Sequence, residues 1–86
     1  MGVSHERITA IETRLTELEA RPTDPREARL PVSVGHRCRR ARKMLRGLAT
    51  ALKRGDLERV SRLADDAERE VGLAQELVRG LEGRAR

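Results

Sequence analysis

His36 and Cys38 stand two residues apart, a spacing that can open a metal site because imidazole and thiolate are both good zinc ligands. No second pair follows, and the other histidine, His5, is remote in sequence. The expectation is an exposed histidine beside a small core cysteine, with no metal. Asp65 and Asp66 are adjacent carboxylates. Neighbouring positions on a helix point in different directions, so they make a poor acid–base pair. The sequence has no glycine-rich phosphate loop and no Ser-His-Asp or Cys-His set. It therefore predicts no catalytic residue, no cofactor and no enzyme.

The residues that can do chemistry are cations. Residues 31–54 hold eight basic side chains and no acidic one, whereas residues 1–30 carry a net charge of −1 and residues 55–86 a net charge of −2. The run Arg37-Cys38-Arg39-Arg40-Ala41-Arg42-Lys43 falls in the first turns of a helix, where cations oppose the helix dipole. A local choice that conflicts with the fold often marks a functional site. Heptad placement turns Arg39, Arg40, Lys43, Arg46, Lys53 and Arg54 away from the following helix, and Arg42 flanks the seam; in an antiparallel hairpin turning at Gly55-Asp56, Arg42 lies roughly opposite Glu68. Arg39, Arg40, Lys43 and Arg46 are the predicted partner-binding residues. Arginine forks suit carboxylate and phosphate alike. An acidic protein is the leading partner and nucleic acid the alternative. Zero aromatic residues leave nothing to stack on a base and no aromatic anchor for a membrane surface.

Three helices must position these groups. The first runs from about Ser4 to Arg21, with Ser4 as N-cap and Pro22 as terminator. Residues 22–35, with three prolines and a glycine, are expected to be an extended linker. The second helix is expected from His36 to Arg54, with Cys38, Ala41, Leu45, Leu48 and Leu52 as its seam. Gly55-Asp56 punctuates, glycine ending one helix and Asp56 capping the next. The third runs from Leu57 to about Leu81, with the seam Leu57, Val60, Ala64, Ala67, Val71, Ala74, Val78 and Leu81. So short a turn predicts an antiparallel hairpin over residues 36–83. The third helix should outrun the second, leaving Leu77, Val78 and Leu81 to be covered by Leu30, Val32 and Val34.

In residues 1–21, Ile8, Ile11, Leu15 and Leu18 follow a 3, 4, 3 spacing, an a/d seam. The pattern R-I-T-A-I-E at Arg7–Glu12 recurs as R-L-T-E-L-E at Arg14–Glu19. It resembles the short trimerisation motif of parallel three-stranded coiled coils. That resemblance implies a homotrimer in which Arg7 reaches Glu12 and Arg14 reaches Glu19 of a neighbouring chain. Isoleucine at both a and d also favours three or more strands. Around the turn, Ala51 to Glu58 is similar to the turn of bacterial helical hairpins such as flagellar-type export chaperones and the exonuclease VII small subunit, but lacks the aromatic positions such small subunits carry.

A chain of 86 residues without Phe, Tyr or Trp cannot build a large enzyme core. A single cysteine allows no intrachain disulfide and suits a reducing, intracellular setting or a place inside a virion or other large assembly. No run of 18 apolar residues is present to span a membrane, and the N-terminus lacks a signal-like apolar stretch. Together these predict an all-α chain: a coiled-coil tip, a proline linker and a helical hairpin. Its expected work is to hold copies together and dock on a larger acidic partner as a structural or adaptor protein.

Overall fold

Ser4 begins the first helix as its sequence predicts, its hydroxyl accepting from the Arg7 N–H at 3.1 Å. This helix, α1, spans His5–Ala20, and the next residue, Arg21, is already extended at φ −71° and ψ 150°. Pro22 explains the stop, because a proline ring pushes the residue before it out of the helical region. In this computed structural model residues 3–22, 24–30 and 32–84 are described, Arg84 by its backbone alone. Thr23 and Pro31 of the expected linker lie outside the described residues.

The segment expected to be extended instead contains a short 3-10 helix at Pro25–Arg29. Asp24 caps it, accepting from the Arg26 N–H at 2.9 Å, and Pro25 stands where a first-turn proline costs no hydrogen bond. Glu27 of this turn is buried and pairs with Arg21. The second helix, α2, spans Val34–Arg54 and starts two residues before His36, because Ser33 caps it by accepting from the His36 N–H at 3.0 Å.

Gly55 closes α2 in the left-handed region, at φ 72° and ψ 17°. Its N–H donates to Leu52 O at 3.1 Å and the Asp56 N–H donates to Ala51 O at 3.0 Å, a Schellman pair. Asp56 then caps the third helix, α3 (Leu57–Arg84), accepting from the Arg59 N–H at 3.1 Å. α2 and α3 form the antiparallel hairpin, and α1 packs against both. The longest extent, 47 Å, follows the 28-residue α3.

Small residues bring the hairpin together: Ala41 of α2 and Ala64, Ala67 and Ala74 of α3 are fully buried. Leu52 and Leu57, placed in the seam by their spacing, are instead 46% and 56% exposed. The reason is the turn, which ends the helix contact early; Ala51 is the last buried position before it and Val60 the first after it. At the other end α3 outruns α2, 28 residues against 21. There Val34 packs in one apolar cluster with Leu77 and Val78. Leu30 lines a cleft with Leu77 and Leu81, whereas Val32 lines a different one with Glu27 and His36.

The heptad stripe of α1 is filled from within the chain. Ile11, Leu15 and Leu18 are buried with Cys38, Ala41 and Leu45 of α2 and with Ala67, Val71 and Ala74 of α3. Ile8 is half-buried beside Val60 and Leu48. The ion pairs change accordingly. Arg7 donates to Asp65 at 2.6 Å and Glu68 at 3.0 Å, and Arg14 donates to Gln75 at 2.6 Å, all on α3. Glu19 takes Arg42 rather than Arg14, while Glu12 is exposed. An apolar stripe accepts any apolar partner of matching shape, and a groove in the same chain is offered at a high effective concentration.

Two outcomes test these local devices. A Cβ at Gly55 would meet nothing within 4 Å, so Gly55→Ala should cost only the left-handed strain, about 1 kcal/mol, read as a lowered urea midpoint. The Arg26 guanidinium, then the Arg26 N–H, hold the Asp24 carboxyl down at about 2, from 3.8. Its contribution should therefore be complete above pH 4 and lost as the pH falls through about 2. The Arg26 amide shift in an NMR acid titration should report that step, and a midpoint near 4 would deny the cap.

Candidate functional site

The α2 cations divide into two groups once the hairpin register is set. Arg37 donates from Nη1 to Glu70 Oε2 at 3.0 Å, and Arg40 Nη2 stands 3.6 Å from Glu70 Oε1. Glu70 is only 6% exposed, so its charge is committed inward, between two arginines. Arg42 turns to α1, donating to Glu19 Oε1 at 2.6 Å and to Thr16 Oγ1 at 3.1 Å. The Glu19 carboxylate raises the Arg42 guanidinium further above its already high value. Glu68, the expected partner of Arg42, is taken by Arg7.

The second group is left over. Arg39, Lys43, Arg46, Lys53 and Arg54 are exposed and make no ion pair among the described residues. Four of them, Arg39, Lys43, Arg46 and Lys53, recur at spacings of four, three and seven residues. At 100° per residue they form one stripe about 21 Å long on the outward face of α2. Of the four residues singled out from the sequence, Arg39, Lys43 and Arg46 lie on this free stripe. Arg40 is half committed, its side chain 51% exposed beside Glu70.

The other candidates fall apart geometrically. His36 is exposed and Cys38 is 5% exposed in the core between α1 and α2, so the two do not converge. Burial first, and then the Glu19 charge, push the Cys38 thiol up, which keeps it protonated and a poor nucleophile. Asp65 is bound to Arg7, on the side of α3 that meets α1. Among the described residues no three His, Cys, Asp or Glu side chains group to hold a metal ion. No helix of the described residues is long and apolar enough to cross a membrane.

One surface feature escaped sequence reasoning. α1 fills one seam of the hairpin and leaves the opposite seam open as a groove lined by Arg40, Lys43, Met44 and Gly47 of α2 and Arg59 and Leu63 of α3. Arg59 and Leu63 lie far from the basic block in sequence, and only the antiparallel register brings them beside it. Gly47, a glycine in the middle of a helical pattern, was the available signal.

Comparison with known proteins returned no matching family model, no matching curated protein and no matching solved structure. The structure itself defines the class: a small all-helical chain with several surface ion pairs and a basic helix face.

The division of the cations predicts two kinds of variant. Glu70→Ala strands Arg37, whose side chain is 20% exposed, and should destabilise the fold by about 1–3 kcal/mol. Arg39→Glu and Arg46→Glu remove no ion pair among the described residues and should shift stability by no more than about 0.5 kcal/mol each. Urea unfolding followed by circular dichroism measures both. Equal effects would mean the outward stripe is also structural.

Proposed function

We propose that this chain is a small non-catalytic adaptor that docks on an acidic protein partner through the outward stripe of α2. The observation that carries this reading is the unequal treatment of one basic block: Arg37 and Arg42 are neutralised at home, while Arg39, Lys43 and Arg46 are exposed and make no ion pair among the described residues. A row of like charges on one helix face repels itself and adds nothing to folding. It does add steering and specificity toward a surface of opposite charge. Its three- and four-residue spacing matches carboxylates at the same spacing on an acidic helix, and arginine forks bind carboxylates in two-point contacts. A nucleic acid would meet the same charges, but the chain has no aromatic side chain on which a base can stack.

Self-association through α1 is the other half of the expected function, and it competes with the bundle for the same side chains. Burial of Ile11, Leu15 and Leu18 on α2 and α3 supports α1 as an internal helix. A trimeric coiled coil requires it to leave. Light scattering at micromolar concentration decides between the two: the mass of one chain is expected, and a stable mass of three chains would restore the coiled coil.

The docking reading is tested by retention on immobilised polyglutamate and on random-sequence duplex DNA across a salt series. The triple variant Arg39→Glu, Lys43→Glu, Arg46→Glu should keep its helicity. It should lose about tenfold in polyglutamate affinity, from three surface contacts of roughly 0.5 kcal/mol each. A steep log–log salt slope on duplex DNA with no retention on polyglutamate would transfer the function to nucleic acid.

A further inference from the structure

We infer that the open seam between α2 and α3 receives an apolar side chain from an acidic amphipathic helix of the protein partner. This deepens the docking proposed above and rests on it, adding a pocket to a charged stripe. The groove measures about 430 Å³. Even an enclosed cavity of about 150 Å³ holds a benzene-sized group. Its floor is Met44, Gly47 and Leu63, and its rim carries Arg40 and Lys43 from one helix and Arg59 from the other. Lys43 and Arg59 make no ion pair among the described residues, and no carboxylate is among the lining residues. An apolar floor inside a wholly cationic rim is complementary to an apolar residue flanked by Asp or Glu.

Gly47 is the residue that makes the space. It sits inside a 21-residue helix, where glycine costs about 1 kcal/mol relative to alanine. Packing does not demand it: an added Cβ would stand 3.4 Å from Leu63 Cδ1, an ordinary contact. Its φ is not in the left-handed region either, since Gly55 is the only described residue found there. Alanine would fit and would stabilise the helix, so the glycine favours an open groove over stability. Such a conflict between local preference and fold points to function.

The molecule already shows how this hairpin holds a helix. In the opposite seam α1 buries Ile11 and Leu15 and offers Glu19 to Arg42 at 2.6 Å. The open seam presents the same elements, an apolar floor with Lys43 and Arg59 beside it, to a helix of the same chemistry. This is helix-in-groove recognition, with the apolar anchor setting position and the carboxylates setting orientation.

The test uses the full chain and a synthetic amphipathic helix carrying glutamates on both flanks of a leucine stripe, with one tryptophan in that stripe. The chain has no Trp or Tyr, so emission from the peptide is read without background. With the unaltered protein the tryptophan emission should shift to the blue on binding. Gly47→Ala should raise the thermal midpoint and weaken the peptide severalfold. Gly47→Met, which fills the groove, should weaken it about tenfold, the worth of one buried apolar side chain. Tight binding without a blue shift, or unchanged binding by Gly47→Met, overturns the groove while leaving the stripe as the docking surface. Failure of the unaltered protein to hold both the peptide and polyglutamate overturns the two together. Displacement of the peptide by an equimolar DNA duplex assigns the seam to nucleic acid. A two-chain mass that Gly47→Met reduces to one assigns it to a second copy; either result overturns the inference.

Discussion

The Gly55-Asp56 turn decides where every residue of α2 stands relative to α3. Gly55 takes the one left-handed backbone position among the described residues, and Asp56 starts the next helix at once. With no slack in the connection, the register of the hairpin follows from two residues. Arg37 then meets Glu70 more than thirty positions along the chain, and Arg40 and Lys43 meet Arg59 across the open seam. A one-residue slip on either helix would rotate those side chains by about 100° and dissolve both the ion pair and the groove.

A hairpin built this way needs close helices, and the composition supplies them. With no aromatic residues to fill a wide core, the seam uses alanines, which let the backbones approach. The gain from burying small side chains is modest, at about 25 cal/mol per Å² of apolar surface. α1 adds larger ones, with Ile11 and Leu15 almost wholly buried. Removing that helix would leave Cys38, Ala41, Leu45, Ala67, Val71 and Ala74 without their cover. The first helix therefore completes the core of its own chain, and the stripe that resembles an oligomerisation motif is the means.

The electrostatics follow the packing. The acidic groups that α1 and α3 bring near the basic block draw cations out of it: Glu70 holds Arg37 and half-engages Arg40, and Glu19 holds Arg42. What remains on the outside is set by what the inside has used. The exposed stripe of Arg39, Lys43 and Arg46 and the cationic groove beside it are thus continuous: the outward face of α2 and the seam it shares with α3 away from α1.

Much was legible in the sequence because it is local. The three helices, the Ser4 and Asp56 caps, the Gly55 turn and the outward placement of Arg39, Lys43 and Arg46 depend on residues within a turn or two of one another. Other features depend on which surfaces meet. The heptads of α1 specify an apolar stripe with charged flanks but not whose groove it enters, so Arg7 finding Asp65 and Glu68 was beyond reach. Counting from the turn sets Arg42 opposite Glu68, yet α1 brings Glu19 to it instead. Leu52 and Leu57 carry the right period and still face water, because period describes a helix face and not where the partner helix ends. The sequence alone determined the elements, their stops and the charge of one helix face, since those arise from backbone geometry and nearest neighbours. Only the tertiary structure decided the partners of the charges and the open seam at Gly47, since those arise from groups far apart in the chain brought within a few ångströms.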